Sequence, residues 1–470
     1  MPDLCEMLRR LKECGIACAT DKHSRFAASL DQMRYSFLPD AVVYAKSEAD
    51  VSETMKAASD CGVPITVRGS GTGCAGGCVP TCGGVVLDMS GIDFIEIDAV
   101  SRMAHVGAGA ITANVDEAAN KFGLFYAPDP SSHKFSSIGG NIACNAGGLR
   151  ALKYGTTREN VLALKAVLAD GRAVSGALPL KKYSVGINLR DIFIGSEGTL
   201  GIVTEAWLKL LPLPKSRTAA LAFFKSDTEA FKGVGKIMRA NLSPCVLEFM
   251  DVETVSCIRA RHPDFGVPAN SAAILAEFDD DDSAEQARKF AQTLSPEADA
   301  KYAADNAETE RLWEIRRKAS QSMFELGDGK INQDIVLPAE SLDAYFEYFK
   351  NLGREYKLAT PVFGHAGDGN YHIHFMYKSS DPTGRARALA AMDKAISRAV
   401  EVGGAVSGEH GIGFLKSKYM SKQHTPTELE LMRSIKKIFD PRDILNRGKI
   451  LVPVDTSNLR PLSGVKLPWD

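Results

Sequence analysis

Residues 68–89 read RGSGTGCAGGCVPTCGGVVLDM, and the fold turns on which element comes after their first glycines. Gly71-x-Gly73-x-x-Gly76 satisfies the dinucleotide fingerprint, and Val63 to Arg68 ahead of it reads as a strand. That fingerprint needs a helix next, so that the helix N-terminus meets a pyrophosphate. None is expected: Val79-Pro80-Thr81 breaks any helical pattern, and Gly83 to Met89 reads as a second strand. The loop still suits phosphate, because closely spaced glycines let successive N–H groups approach an anion, with Ser70 and Thr72 as further donors. A flexible glycine connection between two strands accounts for it equally well.

Two further stretches favour the ligand. Residues 128–155 read PDPSSHKFSSIGGNIACNAGGLRALKYG, and residues 195–204 read GSEGTLGIVT. Both are rich in glycine, small hydroxyls and asparagine, a composition that suits a backbone laid against a long flat molecule better than a packed core.

A chain of 470 residues exceeds what one core supports, so two or more domains are expected. Its 45% hydrophobic and 24% charged content are ordinary for a globular protein. A net charge of −2 without a long basic run argues against a nucleic-acid surface. The first thirty residues are interrupted by Glu6, Arg9, Arg10, Lys12 and Glu13 and lack the apolar core of a secretory signal, and no stretch approaches a membrane span. A cytoplasmic protein is expected, and its ten cysteines, without paired spacing, should be free thiols. Cys74, Cys78 and Cys82 recur every four residues but lack the C-x2-C core of an iron–sulfur site, so they read as small buried or half-buried thiols.

In the second half, residues 364–374 read GHAGDGNYHIH, three of the nine histidines inside eleven residues. Asp368-Gly369-Asn370 is hairpin chemistry, since these residues tolerate positive φ. With a strand over Tyr371 to Tyr377, a period of two puts His372 and His374 on one face, and His365 can fold back over them. Further on, Thr425-Pro426-Thr427-Glu428 is a capping-box helix start, continued by an apolar stripe of Leu431, Ile435 and Ile438.

RGSGTG, PDPSS, SIGGNIACNAGGLRALKYG and GSEGTLGIVTEAWLKLLPLP together resemble the FAD-binding domain of the vanillyl-alcohol oxidase type. GHAGDGNYH, SGEHGIG at 407–413 and FDPRDILNRGKIL at 439–451 resemble its D-2-hydroxy acid dehydrogenase branch, which includes D-lactate dehydrogenases, the catalytic subunit of glycolate oxidase and D-2-hydroxyglutarate dehydrogenase. The resemblance implies an α+β protein. Residues 1–215 would form a two-subdomain FAD-binding domain, residues 216–420 an α+β substrate (cap) domain, and residues 421–470 a helical segment returning to the flavin domain. Leu211-Pro212-Leu213-Pro214 reads as the exit from the first of these.

For the cofactor, the resemblance implies that Arg68, Gly69, Ser70, Gly71, Thr72 and Gly73 wrap the FAD pyrophosphate, and that Pro130, Ser131, Ser137, Gly140 and Asn141 lie along the molecule. Glu197, Gly198, Ile202 and Val203 would close its adenosine and ribityl side, with Asn446 near the isoalloxazine. Where the family has proline after that asparagine, this chain has Arg447. Covalently flavinylated relatives carry a histidine in the phosphate loop; 68–77 has none, so non-covalent FAD is expected.

The resemblance also places a divalent metal on His365, His372 and Glu409, a ligand set suited to zinc, manganese or iron. A chelated 2-hydroxy acid would have its hydroxyl acidified, and a base must then take the proton. His410 is the choice, the alternative being that it only orients Glu409. His374 is a further ligand, a substrate contact or a mark of different substrate choice. In RLWEIRRKASQSMFE, Leu312, Ile315, Ala319 and Met323 mark the buried face of a helix, and the family's LW-x-x-R stretch favours Arg316 as catalytic-site clamp on the substrate carboxylate, with Ser320 and Lys330 as weaker candidates.

The implied activity is oxidation of D-lactate first, with glycolate or D-2-hydroxyglutarate next, and electrons passing to an electron-transferring flavoprotein, an iron–sulfur subunit, a cytochrome or a quinone. Peripheral attachment to the inner membrane face through that partner, and a homodimer, are compatible with this reading. Three rivals are an ether-lipid synthase of the same superfamily, which uses FAD without net oxidation, a non-catalytic flavin subunit, and a zinc hydrolase.

Overall fold

The structure, a computed structural model, describes residues 2–469 and divides them into two units. One takes the chain up to Gly148, then Gly155–Leu213 and everything from Glu409 onward; the other takes Leu149–Tyr154 and Pro214–Gly408. The second unit therefore ends at Gly408 and not near residue 420. Leu149–Tyr154, expected in the flavin domain, is drawn into the second unit by its contacts there. Tyr154 donates to Asp279 at 2.6 Å, Lys153 to Asp279 at 2.7 Å and Asp280 at 2.6 Å, and Leu149 packs on that unit's core.

In the first unit a four-stranded sheet runs Ala17–Ala19, Ala41–Tyr44, Val85–Asp88, Ile65–Arg68. The last two strands pair in parallel, Ile65 opposite Val85 and Arg68 opposite Asp88. A parallel pair needs a crossover, usually a helix. Here the glycine loop itself is the crossover, and no helix intervenes between the strands. Helix Glu48–Cys61 covers the sheet with Val51, Met55 and Ala58, capped at its start by Ser47 and ended by Gly62 in the left-handed region (φ 64°).

The same unit holds a five-stranded antiparallel sheet in the order Ile95–Asp98, Met103–Gly107, Ile202–Lys209, Val161–Val167, Ala173–Ser175. Helix Ile138–Cys144 buries Ile138 and Ile142 with that sheet's Val106, Val161, Leu164 and Ala206. The expected exit is itself a short strand, Leu211–Pro212, paired with Leu124–Phe125. The C-terminal segment rejoins the first sheet through a parallel bridge from Ile65 to Leu445.

Helix Pro426–Phe439 starts with the expected capping box on Thr425 and Glu428. Its stripe does not pack as expected: Leu431, Ile435 and Ile438 are 59%, 40% and 77% exposed. The inward face is instead Leu429, Lys436 and Phe439, because Lys436 donates to the Thr199 and Leu445 carbonyls (both 2.9 Å) and Phe439 packs edge-on against Phe193.

The second unit is built on a seven-stranded antiparallel sheet, ordered Asp299–Tyr302, Thr218–Phe224, Ala272–Phe278, Val246–Met250, Val362–His365, Asn370–Tyr377, Gly329–Val336. Alternation gives its faces opposite characters. One face is aromatic, where Phe231 and Phe346 from helices Asp227–Arg239 and Leu342–Tyr356 stack on each other and pack, tilted or edge-on, against Phe249 and Tyr371. The other carries Glu248, His365, His372 and His374 and is flanked by Leu312, Trp313, Ile315, Ala319 and Met323. That apolar stripe is the one expected, but the helix, Asn306–Arg317, stops at Lys318 before a short turn of helix Ala319–Ser322.

Candidate active site

In the first unit the glycine-rich stretches converge on one cavity. Gly69, Ser70, Gly71, Thr72, Gly73, Pro130, Ser131, Ser137, Gly140, Asn141, Glu197, Gly198, Ile202, Val203 and Asn446 line it, and so do Glu409 and His410. A lining of backbone amides and small hydroxyls, with few large side chains, fits a long cofactor carrying a pyrophosphate. Arg68 stands outside the lining: its guanidinium turns beneath the loop and donates to the Leu30 carbonyl at 2.8 Å and the Cys78 sulfur at 3.4 Å. The expected pyrophosphate contact thus becomes a prop for the loop. Asp31 completes that prop by accepting the Gly76 amide at 2.8 Å.

Several cofactor candidates have structural duties as well. Ser137 caps helix Ile138–Cys144, and Asn141 donates to Thr112 at 2.7 Å. Asn446 accepts from the Val67 amide at 2.8 Å and donates to the Glu197 carbonyl at 2.6 Å, which ties the returning C-terminal segment to both loops. Its left-handed backbone (φ 41°) makes this turn, and Arg447 beyond it donates to the Asp443 carbonyl at 2.7 Å.

Glu197 has a role the motif did not reveal. Its buried carboxylate accepts the Ile412 and Gly413 amides at 2.6 and 2.7 Å and so fixes the turn that presents Glu409 and His410. Burial pushes this carboxyl up from its ordinary value, against the pull of the two amides. Gly413 has a left-handed backbone (φ 50°), and a Cβ there would run into the Ala75 carbonyl. Gly147 approaches Glu409 so closely that a Cβ would lie 3.2 Å from the glutamate's own Cβ. Glu409 and His410 are neighbours, carboxylate oxygen to Nε2 3.8 Å. Among the described residues His410 is the only histidine lining the cavity.

In the second unit the hairpin forms from Val362–His365 and Asn370–Tyr377, with His365 opposite Asn370 and Phe363 opposite His372. The turn lies at 366–369, with Gly369 at φ 78°. His365 and His372 share a face, ring centroids 5.3 Å apart and nearly perpendicular. His374 lies on the same face but is sealed: it is buried, and its Nδ1 donates to the Pro361 carbonyl at 3.0 Å. Burial, with Lys330 and His372 nearby, holds its imidazole well below the ordinary value, so it is neutral.

Arg316 reaches this face with its Nε donating to Glu248 at 2.6 Å and its guanidinium 4.3 Å above the Phe363 ring. Phe363 also packs against His372 and His374, at 5.2 and 5.1 Å. Arg317 points outward to Glu310, so the two arginines divide between a buried and a solvated role. Lys330 and Ser320 lie together, Nζ to Oγ 3.5 Å. The sequence reading missed Glu248, which is fully buried and bridges Arg316 and His365. Burial pushes its carboxyl up, but His365 and Arg316 outweigh that and hold it at about 2, so it stays ionised. A glutamate inside the apolar run Cys245–Met250 was its only signal in the sequence.

Comparison with known proteins assigns the class. Residues 39–176 match the FAD binding domain, and residues 213–450 match the C-terminal domain of FAD linked oxidases. The chain belongs to the FAD-linked oxidases, and it is an FAD-dependent oxidoreductase by that membership. Among its relatives, the glycolate oxidase subunit GlcD of Bacillus subtilis is 36% identical over 424 residues, 89% of this chain and 90% of that one. A D-lactate dehydrogenase of Archaeoglobus fulgidus is 36% identical over 412 residues, covering 87% and 91%. The fold is that of the vanillyl-alcohol oxidase type: p-cresol methylhydroxylase superposes with TM-score 0.78 at 16% identity over 96% of this chain and 98% of that one. Alkyldihydroxyacetonephosphate synthase gives TM-score 0.74 at 18% identity over 95% and 86%.

Proposed function

We propose that this chain is a flavin- and metal-dependent dehydrogenase that oxidises a D-2-hydroxy acid, D-lactate first, to the 2-oxo acid. The observation that carries it is the polar face of the second unit's sheet. There an arginine held by a buried carboxylate stands beside two facing histidines. Relatives named for glycolate and for D-lactate, at 36% identity over nearly the whole chain, support a hydroxy acid substrate.

The chain's own residues divide the work. Arg316 binds the substrate carboxylate through its guanidinium end while Glu248 fixes its Nε. His365, His372 and Glu409 would hold a divalent ion, zinc, manganese or iron. Connectivity supports the third ligand, since Asp334, the cross-strand partner of His372, accepts the Gly408 amide at 2.7 Å and Glu409 is the next residue. His410 takes the hydroxyl proton, or orients Glu409 for its part. When bound, the ion would supply acidification of the substrate hydroxyl and FAD would supply the hydride acceptor. FAD is held without a covalent link, so acid precipitation should release all the yellow colour into solution. The electrons then leave to an electron-transferring flavoprotein, iron–sulfur subunit, cytochrome or quinone. Among the described residues no helix is long and apolar enough to cross a membrane.

The ether-lipid synthase alternative rests on fold likeness at 18% identity, whereas the hydroxy acid reading has relatives at twice that identity and a histidine pair to use. The test is anaerobic mixing of the purified flavoprotein with D- and L-2-hydroxy acids while the flavin absorbance is followed. Bleaching by D-lactate that a chelator abolishes is the expected result. Bleaching by L-acids alone, or bleaching indifferent to the chelator, would refute the proposal.

A further inference from the structure

Glu248 sits on strand Val246–Met250 directly opposite His365 in the sheet, and its side chain is wholly shut from solvent. Its two oxygens go to different partners: Oε1 lies 2.5 Å from His365 Nδ1, and Oε2 accepts from Arg316 Nε at 2.6 Å. We infer that Glu248 is a positioning residue that sets the substrate clamp and a metal-binding imidazole together, one oxygen for each. The inference rests on the proposed role of His365 as a ligand.

The argument is one of donors and acceptors. An ionised carboxylate only accepts, so the His365 proton facing it is on Nδ1. Nε2 is then the nitrogen whose lone pair can face a cation, and the ring cannot turn without losing its Glu248 partner. Arg316 Nε can only donate, and the Phe363 ring 4.3 Å below the guanidinium confines its plane. One rigid carboxylate therefore fixes both groups relative to the same strand. The arrangement makes sense for a substrate that must be gripped at its carboxylate while its neighbouring hydroxyl is presented elsewhere.

Replacing Glu248 by glutamine separates the two duties. Glutamine offers one acceptor and one donor. Its oxygen must face Arg316, so its NH2 faces His365 Nδ1, which has to accept, and the ring proton moves to Nε2. The clamp survives while the ligating nitrogen is blocked.

The experiment titrates zinc into the metal-stripped, FAD-bound protein in competition with a chelator, for wild type, Glu248→Gln and His365→Ala. Wild type should bind one ion, His365→Ala should lose it, and Glu248→Gln should bind about 10–100-fold more weakly with flavin content close to wild type. If wild type binds no ion, the metal reading of the site falls, and this inference with it. If wild type and His365→Ala behave as stated but Glu248→Gln binds like wild type, the inference alone is wrong. Ring nitrogen shifts of His365 in the metal-free wild type give a check that needs no Glu248 variant: a proton on Nδ1 is expected, and a bare Nδ1 would overturn the proposal.

Discussion

The two units present candidate sites made from different parts of the chain. The first offers backbone: amides of a glycine crossover between parallel strands, the start of a short helix, and a turn pinned by Glu197. The second offers side chains, drawn from strands and a helix far apart in sequence and placed on one face of a sheet. A backbone site depends on residues having no side chain in the way, so adding atoms should injure it. A side-chain site depends on groups that reach out, so removing atoms should injure it and leave the scaffold intact. Both directions can be tested.

The largest expected effect is on the backbone half. Gly413→Ala puts a Cβ on a left-handed residue and into the Ala75 carbonyl. The conformation alone costs about 1–2 kcal/mol, roughly tenfold in an equilibrium, and the clash adds to it. Purified protein should carry less than half the wild-type flavin per chain, and a full flavin complement would break the contrast. Next comes the side-chain half. Arg316→Ala removes the charged partner of a carboxylate, an interaction of about 1.5–3 kcal/mol, so KM for D-lactate should rise roughly 10–100-fold. Flavin per chain should not change; a normal KM would take Arg316 out of the site.

The smallest effect sharpens the picture of what supports the glycine loop. Lys449 is buried beneath it, donating to the Val79 carbonyl and to Thr81 at 3.0 Å, and burial lowers its amine to about 8. The unfolded chain holds that proton up to the ordinary lysine value of about 10.4. Between these values the unfolded state binds more protons than the folded one, so this residue makes stability rise with pH from about 8 upward. In thermal melts from pH 8 to 10, Lys449→Met should lack that rise. Parallel curves for variant and wild type would show that the amine keeps an ordinary affinity for its proton.

Much of the first unit was legible because its determinants are local. The absence of a helix after Gly76 could be read from Pro80 and the strand beyond it, and the lining glycines and serines lie in continuous motifs. What could not be read there was the direction and partners of side chains, which no motif records. Arg68 turns under its loop, Glu197 clamps a turn more than two hundred residues later, and Leu431, Ile435 and Ile438 form a regular stripe that nothing in the described chain covers. Periodicity shows that residues share a face, not which face meets the core.

In the second unit the hairpin and the buried face around Trp313 could be read from turn residues and spacing. The division of labour between Arg316 and Arg317 could not be read from their adjacency, and Glu248 showed only as a glutamate inside an apolar run. Its importance arises from being opposite His365 in a sheet whose strand order does not follow the chain.

The sequence by itself determined where the backbone must be free, because glycine, proline and turn residues act on their own φ and ψ and on those of near neighbours. It also determined that imidazoles and a guanidinium were available. Only the tertiary structure decided which carboxylate serves them, since a hydrogen bond between residues 248 and 365 depends on sheet register, and register is settled by the packing of the whole domain and not by any stretch within it.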